Sequence, residues 1–360
     1  MSGGVNRKVE QRLRALLANA WERRAAVCVA DSTMRRAFDR RVQLGTVVSP
    51  ARGVYIDAEV WAALEKRPDR RHMAVVRALS LAHPHWTFCR ETAALIHGLR
   101  ISYPLLDRIH VVNGPCARGA LGGAVMLHNV RDPQAGLVDG LRVTSPLVTA
   151  LDCLRVLDSC EGLVIADAAA AQLGLTATGL REGLRRVGKG LPGIAKALSV
   201  AGFCDPRAES GGESLARAMM LRLRFVPPEL QVWVENPLDK RHPFRVDCLW
   251  ILPSGAVIIC EVDGRGKRED EELTGGRPIE DIYHDERQRE SLVSCTGARI
   301  IRLPFAEVRN GRAVERRLEA FGVPRIDSPE GQEMMRPDAA MRGGRPAPGG
   351  AVVRDGWLRF

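Results

Sequence analysis

The chain has 360 residues, 45% of them apolar, and a formal net charge of +10 from 53 Lys or Arg against 43 Asp or Glu. That length exceeds what one hydrophobic core serves, which predicts two or three domains. No apolar run approaches the roughly 18 residues of a membrane span, which excludes a membrane partner by composition. The N-terminus lacks the apolar stretch of a secretion signal, so cytoplasm is the expected location. The nine cysteines are scattered and never spaced C-x-x-C, which argues against a disulfide framework and a zinc site.

The positive charge is concentrated at the start, where residues 1–52 carry eleven Lys or Arg against four Asp or Glu. VEQRLRALLANAWERR predicts a helix with Val9, Leu13, Leu16 and Leu17 on one face. Asp31 or Ser32 then caps a second helix, TMRRAFDRRVQLG, that ends at Gly45. TVVSP and GVYID follow as a small β-ribbon with Arg52 at its tip. Helix, basic helix and ribbon is the order of a winged helix-turn-helix, whose second helix enters the major groove. Arg35, Arg36, Arg40, Arg41 and Arg52 are the candidate DNA contacts. The alternative is a helix packed by Met34, Ala37, Phe38 and Val42 with its arginines simply in water.

Residues 61–200 alternate helical and strand-like pieces. ETAALIHGL predicts a helix stopping at Gly98, RIHVVNG a strand, and SPLVTALDCLRVL a helix capped by Ser145 with Pro146 in its first turn. His97 and Asp152 are not taken as catalytic, because a histidine beside a glycine at a helix end commonly serves structure through a hydrogen bond. The ordered strings RGVYI, WTFCRETAALIHGL, LDRIHVV, GLRVTSPLVTALDCLRVL and IADAAAAQ resemble actinobacterial proteins of the AbiEi-type antitoxin family. That resemblance covers about the first half of the chain and implies a DNA-binding domain joined to a mixed α/β domain, with a cognate toxin as a possible partner. Loop-like composition around AGFCDPRAESGG sets a boundary near residue 205, and the Gly- and Pro-rich stretch from 326 predicts a disordered tail.

The chemistry lies between. FRVDCLWIL, PSG and AVIICEVD predict a β-hairpin closed by a three-residue loop with Gly255 in the left-handed position. With Leu252 and Ala256 flanking the turn, Asp247 falls opposite Glu261, their Cβ atoms about 4.5–5.5 Å apart. Like charges so placed next to VIIC are costly, which points either to a protonated acid or to a divalent cation. Asp263 shares the face of Glu261 two residues on. Glu213, near the start of the helix ESGGESLARAMMLRL, is a further candidate; its alternatives are the helix dipole or a pair with Arg217. Downstream, IEDIYHDERQRESLVSCTG reads as a helix ended by Gly297, and ARIIRLPF as a strand.

This order, with RVDCLWILPSGAVIICEVDG followed by HDERQRESLVSCTGARIIRLPFAEV, resembles the PD-(D/E)xK restriction-endonuclease-like fold, and within it the branch of the very-short-patch-repair endonuclease. The resemblance implies Mg2+-dependent (or Mn2+-dependent) cleavage of DNA, with Asp247 and Asp263 as metal ligands and Glu261 as ligand or water-orienting group. The fold's usual lysine is replaced by Asp263, as in that branch, and the branch's histidine by Lys267. Lys267 either supplies positive charge toward the phosphate or lies in the solvated loop GRGKREDEEL. Asp285, Arg287 and Arg289 belong to the next helix, as phosphate contacts or as an i, i+4 pair.

The expected fold class is a multidomain α+β / α/β chain. It places a winged helix-turn-helix at 1–60, a mixed α/β domain at 61–205, a restriction-endonuclease-like α/β domain at 206–325 and the tail at 326–360. The expected function is a DNA-binding protein with a metal-dependent nuclease-like domain. The rivals are an antitoxin or transcriptional regulator whose nuclease-like domain is inactive, and a C-terminal domain that binds a protein.

Overall fold

The computed structural model describes residues 7–112, 119–121, 123–236, 238–239, 241–263, 297–336, 352–354 and 357–359. They fall into two units, one within 1–157 and 168–203, the other within 158–167 and 204–360. Among the described residues no single helix is long and apolar enough to cross a membrane.

The first unit begins with α1 (Arg7–Glu22), the two-residue strand β1 (Val27–Cys28), α2 (Ser32–Gln43) and the hairpin of β2 (Val47–Ala51) and β3 (Val54–Asp57). The Asp31 carboxylate accepts the Met34 N–H at 2.7 Å and so caps α2. Beyond the last turn, Gly45 stands at φ +74°, a left-handed conformation only glycine adopts freely. The three strands pair antiparallel in the order β1-β3-β2. Alternation along β3 then decides the packing. Tyr55 faces one core with Leu13, Met34, Ala37 and Phe38, its ring stacked on Phe38 at 4.7 Å. Val54 and Ile56 face another, with Ala74, Val75, Leu79, Phe88 and Val111. An apolar core therefore continues across residue 60, where the sequence places a domain boundary.

That second core belongs to α3 (Ala58–Ala63), α4 (Pro68–Ala82), β4 (Thr87–Phe88), α5 (Arg90–Ile96), β5 (Ile109–Val112), β6 (Gly119–Leu121), β7 (Val125–His128), β8 (Gly136–Val138) and β9 (Leu141–Val143). The strands form one six-stranded mixed sheet in the order β6-β7-β5-β4-β9-β8. Four helices follow: α6 (Pro146–Val156), α7 (Ser159–Leu173), α8 (Ala177–Val187) and α9 (Ile194–Ala201). The Ser145 hydroxyl caps α6 by accepting the Val148 N–H, with Pro146 in the first turn.

The second unit takes in residues 158–167, Asp158 and the start of α7, and resumes at Cys204. Its elements are α10 (Gly211–Arg222), β10 (Glu229–Val234), β11 (Phe244–Ile251), β12 (Val257–Asp263), β13 (Arg299–Pro304), α11 (Phe305–Val308), α12 (Gly311–Ala320), α13 (Pro329–Met334), β14 (Val352–Arg354) and β15 (Trp357–Arg359). One sheet runs in the order β13-β12-β11-β10-β15-β14. β11 is antiparallel to both β10 and β12, and β12 is parallel to β13. The loop Pro253–Gly255 sets the hairpin: Gly255 has φ +89° and the Leu252 N–H donates to Ala256 O at 2.9 Å. β12 is buried continuously from Val257 to Glu261, the mark of a strand covered on both faces.

The tail departs from expectation. Residues past 326 form α13, capped by Ser328, whose hydroxyl accepts the Gly331 N–H at 3.0 Å. β15 then pairs parallel with β10, Trp233 beside Trp357 and Val234 beside Leu358. The physical reason is the open edge of β10, whose backbone donors and acceptors accept a strand without any helical apolar periodicity in it.

Candidate active site

Four neighbouring strands bring one residue each into a row. Between β10 and β11 the pairs Leu230↔Cys248 and Val232↔Val246 flank Gln231 and Asp247. Between β11 and β12 the ladder runs from Ile251↔Val257 to Cys248↔Cys260, and one step further stand Asp247 and Glu261. This is the register the Pro-Ser-Gly turn predicts. There the backbone ladder gives way to a side chain: Asp247 Oδ2 accepts the Val262 N–H at 3.0 Å. On the far side, β12 pairs with β13 so that Glu261 stands beside Arg302. The row is Gln231, Asp247, Glu261, Arg302, and Glu261 is only 9% exposed.

Glu213 joins from α10. The Ser210 hydroxyl accepts the Glu213 N–H at 3.1 Å and the Glu213 carboxylate reaches back to accept the Glu209 N–H at 2.9 Å, an arrangement close to a capping box. The same Oε2 accepts from Gln231 Nε2 at 2.8 Å. Glu213 thus caps its helix and touches the row. Arg217, a turn later, grips the buried Asp167 carboxylate at 2.7 and 2.9 Å. Asp263, expected as a third ligand, meets Arg302 Nη1 at 2.9 Å.

Two cysteines paired across the hairpin, Cys248 and Cys260, register the field of these acids. Burial first, then Glu261, Asp247 and Asp263, push the Cys260 thiol well up. Burial, Cys260, Asp247 and Glu213 do the same to Cys248.

Carboxylate oxygens are the donors that Mg2+ prefers, held through one or two acids with several waters retained. Asp247 and Glu261 suit that pattern as a two-carboxylate set. Among the described residues no three Asp, Glu, His or Cys side chains are grouped to hold a metal. Lys267, Asp285, Arg287 and Arg289 lie outside the described residues.

The five candidate arginines of the N-terminal segment divide into two groups. Arg35 Nη2 donates to Val29 O at 3.1 Å and its guanidinium lies against Gly53. Arg41 Nη1 donates to Ala37 O at 3.0 Å and its other end pairs with Glu10. These two are built into the segment. Arg36, Arg40 and Arg52 are exposed, with no ion pair to another described residue.

The first unit holds a different polar cluster, around the start of α5. Glu91, 4% exposed, lies 3.3 Å from Arg90 Nη2 and 3.5 Å from His110 Nε2. His110 Nδ1 meets His128 Nε2 at 2.8 Å. Burial, followed by the Arg90 charge, pushes the His110 imidazole down to about 3 and His128 to about 4. His97 Nε2 bonds Thr144 O at 2.7 Å, a structural role. Asp152 pairs with Arg155 at 3.0 Å, and burial raises its carboxyl.

Gln231 and Arg302 were not legible as site residues. Gln231 takes part through its backbone, at φ +54° in the middle of a strand, which no sequence pattern announces. Arg302 sits in the strand RIIRLP between the buried Ile301 and Leu303, where a half-buried cation is the signal that could have found it.

No protein-family model matches the chain. Two Mycobacterium tuberculosis proteins, from two strains and both described as uncharacterized, are similar to it: each is 29% identical over 167 residues, 46% of this chain and 59% of theirs. The chain therefore spans little more than half the length of these curated relatives.

Proposed function

We propose that the second unit is a nuclease-like domain of the restriction-endonuclease type that cleaves DNA phosphodiester bonds with Mg2+ or Mn2+, and that a winged helix-turn-helix at the N-terminus brings it to DNA. The observation that carries this reading is the hairpin register, in which the half-buried Asp247 and the buried Glu261 stand one step beyond the pair Cys248↔Cys260. Their oxygens are the donors for the cation, which when bound polarises a phosphoryl oxygen and activates water. Glu213 is tied to the row through its hydrogen bond with Gln231. Arg302 holds Asp263 in place. The exposed Arg36, Arg40 and Arg52 supply phosphate contacts on the DNA, a sequence-independent attraction that positions the duplex.

The test is incubation of plasmid and linear DNA with the full chain and Mg2+ or Mn2+, beside Asp247→Ala and Glu261→Ala. The proposal expects cation-dependent cleavage that falls by roughly a hundredfold or more in either variant. Cleavage unaffected by both substitutions, or none on any DNA or RNA form, contradicts it.

A second reading is favoured by Asp263 being engaged with Arg302 and by the two-carboxylate character of the site. In it the chain is an AbiEi-like antitoxin or transcriptional regulator that keeps an inactive nuclease-like domain. It expects sequence-selective DNA binding with steep salt dependence and no need of a cation, and for an antitoxin, co-purification with a toxin.

A further inference from the structure

In the first unit, α8 divides its residues cleanly between two sides. Leu180 and Leu184 are buried, and Gly183 between them lets the helix sit close to α6, since an added Cβ there would lie 3.2 Å from Leu147 Cδ1. The opposite side carries Arg181, Arg185 and Arg186, all exposed, and the exposed Lys189 follows just past the last turn. Glu182 is the only acid in α8. It stands three and four residues before Arg185 and Arg186, the spacing at which ion pairs form on a helix. None of the four cations nevertheless has an ion pair with another described residue. Arg181 and Arg185, one turn apart, are like charges that disfavour the helix they stand on. The support under them is fixed. An added Cβ at Gly188 would lie 2.5 Å from Ile194 Cδ1 and 2.8 Å from Leu184 O, and one at Gly193 would lie 3.0 Å from Arg155 O. Arg155 Nε donates to Pro192 O and Lys196 Nζ to Leu157 O, which ties the turn and the start of α9 to the end of α6.

We propose that the exposed side of α8 is a second phosphate-contacting surface of the chain, which takes the backbone of duplex DNA through Arg181, Arg185, Arg186 and Lys189. This rests on the reading of the chain as a DNA-binding protein. Arg181 and Arg185 are about 6 Å apart along the helix axis, close to the spacing of neighbouring phosphates on one strand. A guanidinium presents a fork of donors that matches phosphate oxygens, and here no carboxylate occupies it. The clamped turn holds Lys189 in place beyond the arginines, so little ordering remains to be done on binding. A docked protein is a poorer match, because the centre of such an interface is apolar and none of the exposed large apolar side chains belongs to α8.

The experiment measures binding of the full chain to a short fluorescent DNA duplex by anisotropy across a salt series, with thermal unfolding as the stability readout. The variants are the double Arg185→Gln with Arg186→Gln, the quadruple that adds Arg181→Gln and Lys189→Gln, and Glu182→Gln. A charge-matched control replaces two exposed arginines of α12, Arg312→Gln with Arg316→Gln. All are surface changes and are expected to unfold at or near the parent temperature. The salt slope is expected to fall by about 0.9 for each phosphate no longer neutralised, roughly 2–4 in the quadruple variant and half that in the double. The α12 control is expected to keep the parent's slope, and Glu182→Gln, which removes the one opposing charge, to bind more tightly. The parent's slope in both α8 variants, or an equal loss in the control, overturns the surface while leaving DNA binding through Arg36, Arg40 and Arg52 standing. Displacement of the labelled duplex by polyglutamate as readily as by unlabelled duplex assigns the surface to an acidic protein and overturns the proposal. A parent chain that binds no duplex DNA overturns the DNA-binding reading itself, and this surface with it.

Discussion

The two units each bury a polar cluster, and the clusters are built on opposite plans. In the first, Glu91 has one counter-charge, Arg90, beside it, and the imidazoles of His110 and His128, held uncharged by burial, extend from it. In the second, two carboxylates from adjacent strands meet instead, Asp247 and Glu261 one step beyond the last ladder pair, while Gln231 bonds Glu213 and Arg302 reaches Asp263. The buried Glu91 is held by a single guanidinium, and its Oε2 lacks a hydrogen-bond partner among the described residues. Acids gathered on neighbouring strands are, on the proposed reading, where a divalent cation is held. The first unit should answer to protons, the second to divalent cations.

The sharpest way to break that contrast is to add a cation and watch each unit unfold. A ligand that binds only the folded state stabilises by about 2.7 kcal/mol at a concentration one hundred times its Kd. Mg2+ or Mn2+ is expected to shift hydrogen-exchange protection in β11 and β12 and to leave β5 and β7 unchanged, and Asp247→Ala is expected to remove the shift. Equal protection of both units, or none of β11 and β12, would erase the distinction.

Next in size is Glu91→Gln. Removing the carboxylate from beside Arg90 leaves a partly buried guanidinium short of its partner, and the first unit is expected to lose about 1–3 kcal/mol. Denaturant unfolding followed by a probe in the first unit measures it.

Acid should also act on the first unit. His72, pushed down to about 4 by burial, joins His110 at about 3 and His128 at about 4. A histidine whose folded pKa lies below its unfolded value takes up protons more readily unfolded. Its contribution is complete above about 6.5 and is lost as pH falls toward the folded values. The unfolding temperature of the first unit is expected to fall between about pH 6.5 and 4, and His110→Phe should flatten that slope.

The smallest effects separate the arginines. Arg36→Ala, Arg40→Ala and Arg52→Ala are each expected to leave stability alone and to lower the salt slope of DNA binding by about one for every phosphate that is no longer neutralised. Arg35→Ala is expected to destabilise the segment through Val29 and Gly53. Filter binding across a salt series, together with thermal unfolding, distinguishes the two groups.

Much of the second unit could be read before any coordinates, because a turn with a forced conformation transmits register. Pro253, Ser254 and Gly255 fix Leu252 against Ala256, and everything up to Asp247 and Glu261 follows by counting. The caps were legible for the same reason, Ser145 outright and Asp31 as one of two choices with Ser32: a side-chain oxygen meets an amide three residues on. What escaped depended on tertiary context. β15 forms because β10 offers an edge, and Gln231 reaches Glu213 from a left-handed backbone that no sequence pattern announces. Arg35 and Arg41 look like their exposed neighbours in sequence and differ only in what the fold places beside them. The shared core across residue 60 required knowing that both faces of β3 are buried.

The most direct test of the central claim is calorimetric titration of Mg2+ into the full chain and into Asp247→Ala. The account predicts saturable binding of one cation per chain by the parent and none by the variant. Identical titrations, whether both bind or neither does, would contradict it.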